Sequence, residues 1–152
     1  MEASTMDWNH TTNMIVSGSI DRSVFVWNFS EEAKHFKPEF VNMDEKLSII
    51  DIKWARNGKK FVAGTSSKSM YICHQIEGIK GVNWTSKKIK CKFESSILSS
   101  EFDPSGRVIA AVSFDGNCKI LSAFLPALDT EPTTGPFATV DHFGTPLMSF
   151  NC

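Results

Sequence analysis

The chain has 152 residues, 41% of them hydrophobic and 22% charged, with a net charge of −1. That length supports one domain with a buried core, and the composition excludes wholesale disorder. Without a basic surplus there is no electrostatic basis for binding nucleic acid or an anionic membrane, and no apolar run approaches the roughly 20 residues of a membrane helix.

The chain opens on Met1-Glu2-Ala3-Ser4-Thr5, which lacks the basic residues and apolar run of a secretion signal. A cytosolic chain is expected, and the sequons at Asn9, Asn28 and Asn83 should go unused. A pattern begins at Trp8. It continues through the apolar run Met14-Ile15-Val16, the small Gly18, the polar turn Asp21-Arg22 and the alternating Val24 and Val26, and closes at Trp27. Residues 54–73 repeat it as Trp54, the turn Asn57-Gly58, Phe61-Val62-Ala63, Gly64, Ser67-Lys68, Met70, Ile72 and Cys73. Residues 102–121 repeat it again as Phe102, the turn Asp103-Pro104-Ser105-Gly106, Val108-Ile109-Ala110-Ala111, Val112, Asp115-Gly116, Cys118, Ile120 and Leu121. The three copies align without a gap and start 46 and 48 residues apart.

Apolar residues at period two mark half-buried strands, and the glycines and proline between them mark turns. Each copy therefore reads as three strands, with room for a fourth around 36–43 and 83–93. Four-stranded units at this period are the blades of a WD-repeat β-propeller. The expected class is all-β: three antiparallel blades at about 6–43, 47–93 and 97–152, part of a larger ring. No segment has helical periodicity. After the third copy the prolines cluster, so 126–136 is expected to be a connecting loop and 146–150 the outer strand of the third blade.

Candidate sites are few. His10, His35, His74 and His142 are scattered, and no nucleophile, phosphate-loop or metal-ligand spacing occurs, so neither catalysis nor a cofactor or metal is expected. Cys73, Cys91, Cys118 and Cys152 lack zinc-ligand spacing and read as buried thiols. Asp21 and Asp115 occupy one turn position in two copies and are expected to fix those turns, with Ser67 a weaker substitute. Arg22 and Lys68 fall in equivalent turns at one rim, where partner contact is expected. Lys88, Lys90 and Lys92 alternate with Ile89, Cys91 and Phe93, which places the lysines on one face of an outermost strand. They serve either to block edge pairing or as a basic strip for an acidic partner.

More specific strings point further. Ser19-Ile20-Asp21-Arg22-Ser23-Val24-Phe25-Val26-Trp27, Lys60-Phe61-Val62-Ala63-Gly64, Ile72-Cys73 and Cys118-Lys119-Ile120-Leu121-Ser122-Ala123-Phe124 resemble the WD-repeat subunit of the actin-related protein 2/3 complex. The resemblance runs from Met6 onward. It implies about the second to fourth blades of a seven-bladed propeller. It also implies a non-catalytic role in actin nucleation and branching in the cytoplasm, with other subunits, actin filaments and nucleation-promoting factors as partners. No Gly-His pair precedes any copy, and Cys73 and Leu121 replace the signature Trp, so packing must do more here than the family's hydrogen-bond network. The alternative is a WD-repeat adaptor in another multiprotein complex.

Overall fold

In a computed structural model, residues 2–43, 47–78, 81–124 and 138–140 are described. The first sheet comprises β1 (Ala3–Asn9), β2 (Met14–Ser19), β3 (Val24–Ser30) and β4 (His35–Phe40) in chain order. The second comprises β5 (Ile49–Trp54), β6 (Lys60–Thr65), β7 (Met70–Gly78) and β8 (Gly81–Ile89). The third comprises β9 (Ile97–Phe102), β10 (Val108–Ser113), β11 (Cys118–Ser122) and β12 (Ala138–Val140). All neighbours are antiparallel, and there is no helix among the described residues.

The register follows from the repeat. Trp8 pairs with Ile15, Trp54 with Phe61, and Phe102 with Ile109, so each copy folds the same residues opposite one another. Gly58 and Gly106 hold φ of 66° and 70° in the turns after the first strands, a region that costs glycine nothing. One expectation changes. The place beside β11, assigned to 146–150 from sequence, is held by Ala138–Val140. Residues 146–150 and the loop at 126–136 lie outside the described residues.

Period-two alternation decides the packing. In β6, Phe61 and Ala63 join Val16, Val24 and Val26 of the first sheet, while Val62 joins Ile97, Ile109 and Leu121 of the third. In β7, Tyr71 and Cys73 face the first sheet and Met70 and Ile72 the third. The second sheet is thus buried on both faces, as its run of six buried residues in β6 requires. The sheets converge on their first strands β1, β5 and β9. There the Trp54 amide donates to the Asp7 carboxylate at 2.7 Å, and the Ser100 amide and hydroxyl donate to Asp51 at 2.7 and 2.6 Å. Burial raises the Asp51 pKa despite those bonds.

Cys73 and Cys91 are buried, and Cys118 is half-buried rather than fully so. Burial pushes the Cys73 thiol up, far from reactivity.

His74 carries a pH dependence. Its ring is buried 5.1 Å from Phe124, and Nδ1 has no hydrogen-bond partner among the described residues. Burial first, then the charges of Lys87 and Lys60, lower its pKa. The folded state holds His74 neutral, whereas the unfolded chain protonates it near about 6.5. Stability is therefore full above that value and declines as pH falls below it, towards the lowered folded pKa. Thermal melts at pH 7.5 and 5.5 are expected to show a lower midpoint at 5.5, and His74→Gln should narrow the difference. An unchanged gap in the variant would place the pH sensitivity elsewhere.

Candidate interaction surface

In each sheet the first strand runs away from one rim and the second returns to it. The β2–β3, β6–β7 and β10–β11 turns and the sheet-to-sheet connections therefore share one rim. Arg22 and Lys68 lie in the first two of those turns, Lys90 and Lys92 in the β8-to-β9 connection, and Lys88 at the end of β8. The fold thus gathers onto one rim five cations that are dispersed in sequence.

Side-chain oxygens hold the rim's backbone in place. The Asp21 carboxylate accepts the Ser23 amide at 3.0 Å and the Ser23 hydroxyl. Hydrogen bonds from Ser23 and Ser19 lower its pKa. Asp115 accepts the Asn117 amide at 2.9 Å and, from the next turn over, the Glu94 amide at 2.7 Å. Partial burial opposes that arrangement, but the Glu94 and Asn117 amides keep the Asp115 pKa lowered.

The Ser67 hydroxyl donates to the Thr65 hydroxyl oxygen at 3.0 Å, and the turn function passes to Thr65. The Thr65 hydroxyl donates to the Ser69 carbonyl at 2.8 Å. Ser19, Thr65 and Ser113 occupy the same repeat position. All three are buried, and each accepts the amide two residues on, at 3.1, 3.3 and 3.4 Å. Sequence reasoning missed this series because a hydroxyl at a strand end looks like ordinary polar filler, although the aligned positions are all Ser or Thr. A second series ties neighbouring turns together: Ser48 donates to the Ile20 carbonyl at 2.9 Å and Ser96 to the Ser66 carbonyl at 2.7 Å.

The cations differ in their freedom. Arg22 is exposed and holds φ at 78°, a conformation the Asp21 turn imposes. Lys68 reaches Glu94 at 3.0 Å, a solvent-exposed pair of the kind worth about 0–1 kcal/mol. β8 ends at Ile89, so Lys90 and Lys92 lie beyond the strand and not on its face. The expected alternation nonetheless persists, with Cys91 and Phe93 buried while Lys88, Lys90 and Lys92 are exposed. Lys92 takes φ of 53°, and its carbonyl accepts the Lys119 ammonium, which also lies 4.8 Å over the Phe93 ring.

The opposite rim carries a cavity of about 520 Å³ between the turns that follow β1, β5 and β9, walled by Trp8, His10, Arg56, Glu101 and Asp103. Two of its acids, Asp7 and Asp103, are engaged by hydrogen bonds. Partial burial works against Asp103, yet hydrogen bonds from Ser105, Val108 and Arg107 hold its pKa down to about 2. Burial raises the Glu101 pKa. Among the described residues no group of His, Cys, Asp and Glu has the geometry of a metal site.

Comparison with known proteins agrees with this architecture. The family model described as WD domain, G-beta repeat matches residues 3–28 and 85–122. Actin-related protein 2/3 complex subunit 1A of Arabidopsis thaliana is 28% identical over 148 residues, covering 97% of this chain and 38% of the plant protein. Subunit 1A-B of the same complex from Xenopus laevis is 27% identical over 147 residues, covering 95% of this chain and 38% of the frog protein. Subunit 1 of Saccharomyces cerevisiae is 30% identical over 117 residues, covering 77% of this chain and 30% of the yeast protein. The chain therefore spans under two fifths of the length of these relatives.

Proposed function

From the premise that this is a WD-repeat chain homologous over nearly all its length to subunit 1 of the actin-related protein 2/3 complex, we propose that it is a non-catalytic scaffold within that assembly. Its three blades, at about 6–43, 47–93 and 97–152, present a rim to neighbouring subunits. Actin nucleation and branching follow from that placement, with actin filaments and nucleation-promoting factors as further partners, in the cytoplasm at the actin cytoskeleton.

The observation that carries this is the rim itself. Arg22, Lys68, Lys90 and Lys92, with Lys88 at the end of β8, belong to a rim whose turns are pinned by Asp21, Asp115 and the buried hydroxyl series. Cations on a preorganised backbone lose little freedom when they meet an acidic surface, and their field steers its approach. The lysines also deter edge-to-edge pairing of β8, so one feature serves both purposes.

Capture of the tagged chain from its own cell lysate is expected to recover actin-related proteins. Combined Arg22→Glu, Lys68→Glu, Lys90→Glu and Lys92→Glu is expected to reduce that recovery at least ~10-fold, with the melting midpoint little changed, since exposed charges contribute little to stability. Undiminished recovery would remove the rim from the interface. Recovery of an unrelated machine without actin-related proteins would overturn the scaffold assignment itself.

A further inference from the structure

The turn between β5 and β6 holds the chain's single Asn-Gly pair, Asn57-Gly58. It belongs to the middle sheet, so the equivalent turns of both neighbouring sheets are present around it. A hollow of about 320 Å³ opens between the three turns, lined by Asn57 with Thr11, Arg56, Pro104, Ser105 and Gly106. Asn57 is exposed, so solvent reaches its carboxamide.

Three features of the turn favour attack on that carboxamide. Gly58 has no side chain to crowd its own backbone nitrogen. The Lys59 amide donates to Asn57 Oδ1 at 3.0 Å, which folds the carboxamide over the Gly58 peptide and polarises its carbonyl. Arg56 and Lys59, both exposed, place positive charge beside the amide anion that must form. One feature opposes it, because the Gly58 amide donates to the Ala55 carbonyl at 2.9 Å and must first leave that bond. A hydrogen bond at an exposed turn is worth roughly a tenfold factor at most, so it slows the reaction without stopping it. Asp115-Gly116 in the β10–β11 turn supplies the contrast. There the Asn117 and Glu94 amides hold the carboxylate at 2.9 and 2.7 Å and keep it ionised. A carboxylate so held is a poor electrophile, and that pair stays intact.

We infer that Asn57 is a self-modification site, converted within the folded chain to isoaspartate and aspartate. The Gly58 amide gives its proton to hydroxide or a buffer base, and its nitrogen bonds to Asn57 Cγ. The Cγ–Nδ2 bond breaks, and Nδ2 takes a proton from solvent and leaves as ammonia. Water then opens the cyclic imide. Addition at Cγ gives an aspartyl residue; addition at the backbone carbonyl carbon of residue 57 gives an isoaspartyl residue with a longer main chain.

That longer main chain does not fit the present seating. Gly58 lies against Thr12, where even a Cβ would come within 2.4 Å of Thr12 Cγ2. Asn9 Nδ2 donates to the Ala55 and Arg56 carbonyls at 3.0 and 3.2 Å. The modification therefore pries the β5–β6 turn from the first sheet and adds a carboxylate beside Arg56. It lies on the rim opposite the five cations, and the inference stands apart from the proposed scaffold role.

The purified full chain, folded and in guanidinium chloride, is incubated at neutral to mildly alkaline pH and mapped by peptide mass spectrometry. The Asn57 peptide of the folded chain is expected to show the mass gain of amide-to-acid exchange, at a rate within roughly tenfold of the denatured chain. It should split into two chromatographic forms, one of which accepts a methyl group from S-adenosylmethionine through an isoaspartyl carboxyl methyltransferase. The rate should rise about tenfold per pH unit, because the reacting species is the amide anion. Asn57→Ser, which keeps an oxygen for the Lys59 amide, should lose the methyl labelling completely with an unchanged melt. Asn57 left intact in the folded chain, labelling that survives Asn57→Ser, or equal conversion at the other asparagines would each overturn the inference.

Discussion

Phe61→Ala is expected to destabilise the chain by about 3–5 kcal/mol, the range for emptying an aromatic site that cannot collapse. Phe61 is fully buried where the first and second sheets meet. Its ring lies 5.2 Å from that of Trp54, edge-on, and 5.3 Å from that of Trp84, while Trp54 and Trp84 are themselves 5.4 Å apart. Three large rings touching in a closed triangle leave a cavity that two β-strands, tied by the ladder on either side, cannot close. A domain of this size has only about 5–15 kcal/mol of total stability, so the loss takes at least about a fifth of it. At about 2–4 °C per kcal/mol, the melting midpoint should fall by roughly 6–20 °C. The near-ultraviolet circular dichroism of the tryptophans should weaken even in the residual folded fraction. Phe29→Ala, at an exposed position in β3, is the contrasting variant and should cost under ~1 kcal/mol. Equal losses in the two variants would mean that the seam between the sheets does not hold the fold together.

That central position was legible in the sequence, because a gapless repeat transfers the role of one copy to the next. Alternation in Phe61-Val62-Ala63 says that β6 has two faces, and three consecutive apolar residues say that both are covered. The repeat likewise gave the all-β class and the shared rim of Arg22 and Lys68. It did not give the outer strand at Ala138–Val140, since the Pro-rich tail offered a longer apolar run at 146–150 and a three-residue strand leaves almost no pattern.

The interior polar chemistry was invisible for a different reason. Lys60 follows Gly58 and Lys59 and looks like turn charge, yet it is buried. Its ammonium donates to the Ala123 and Phe124 carbonyls at 2.9 and 3.3 Å, joining the second sheet to the end of the third. Lys119 does the same for the Lys92 carbonyl. A lysine buried against main-chain carbonyls across 63 residues has no local signature. The hydroxyls of Ser19, Thr65 and Ser113 did have one, through their common repeat position, but Ser and Thr are too frequent in turns for it to stand out. Of the rim, the cations and the turn-fixing Asp21 and Asp115 could be read from sequence, but not the hydroxyl series that supports those turns.

The close approach of Ile97 in β9 to the bare Cα of Gly64 in β6 yields the second large effect. Gly64→Ala places a methyl 2.8 Å from Ile97 Cγ2 and 3.1 Å from Ile97 Cβ, where no flexible side-chain end can move aside. The φ at Gly64 is not in the left-handed region, so the strain is purely that of contact. Two effects oppose each other. Alanine restricts the unfolded chain, which stabilises by about 0.4–1 kcal/mol. Overpacking in a finished core costs about 1–3 kcal/mol, and here it also wedges β9 away from β6. The second effect is larger, so Gly64→Ala should destabilise by about 1–2 kcal/mol and Gly64→Val by more. Ile97→Ala alone should cost about 2–5 kcal/mol as a cavity. Together, Gly64→Ala and Ile97→Ala should cost less than the sum of the two by at least ~0.5 kcal/mol, because the new methyl enters the space the isoleucine vacates. Chemical denaturation of the four proteins in the cycle measures the coupling. Strict additivity would mean that the seam closes without this contact.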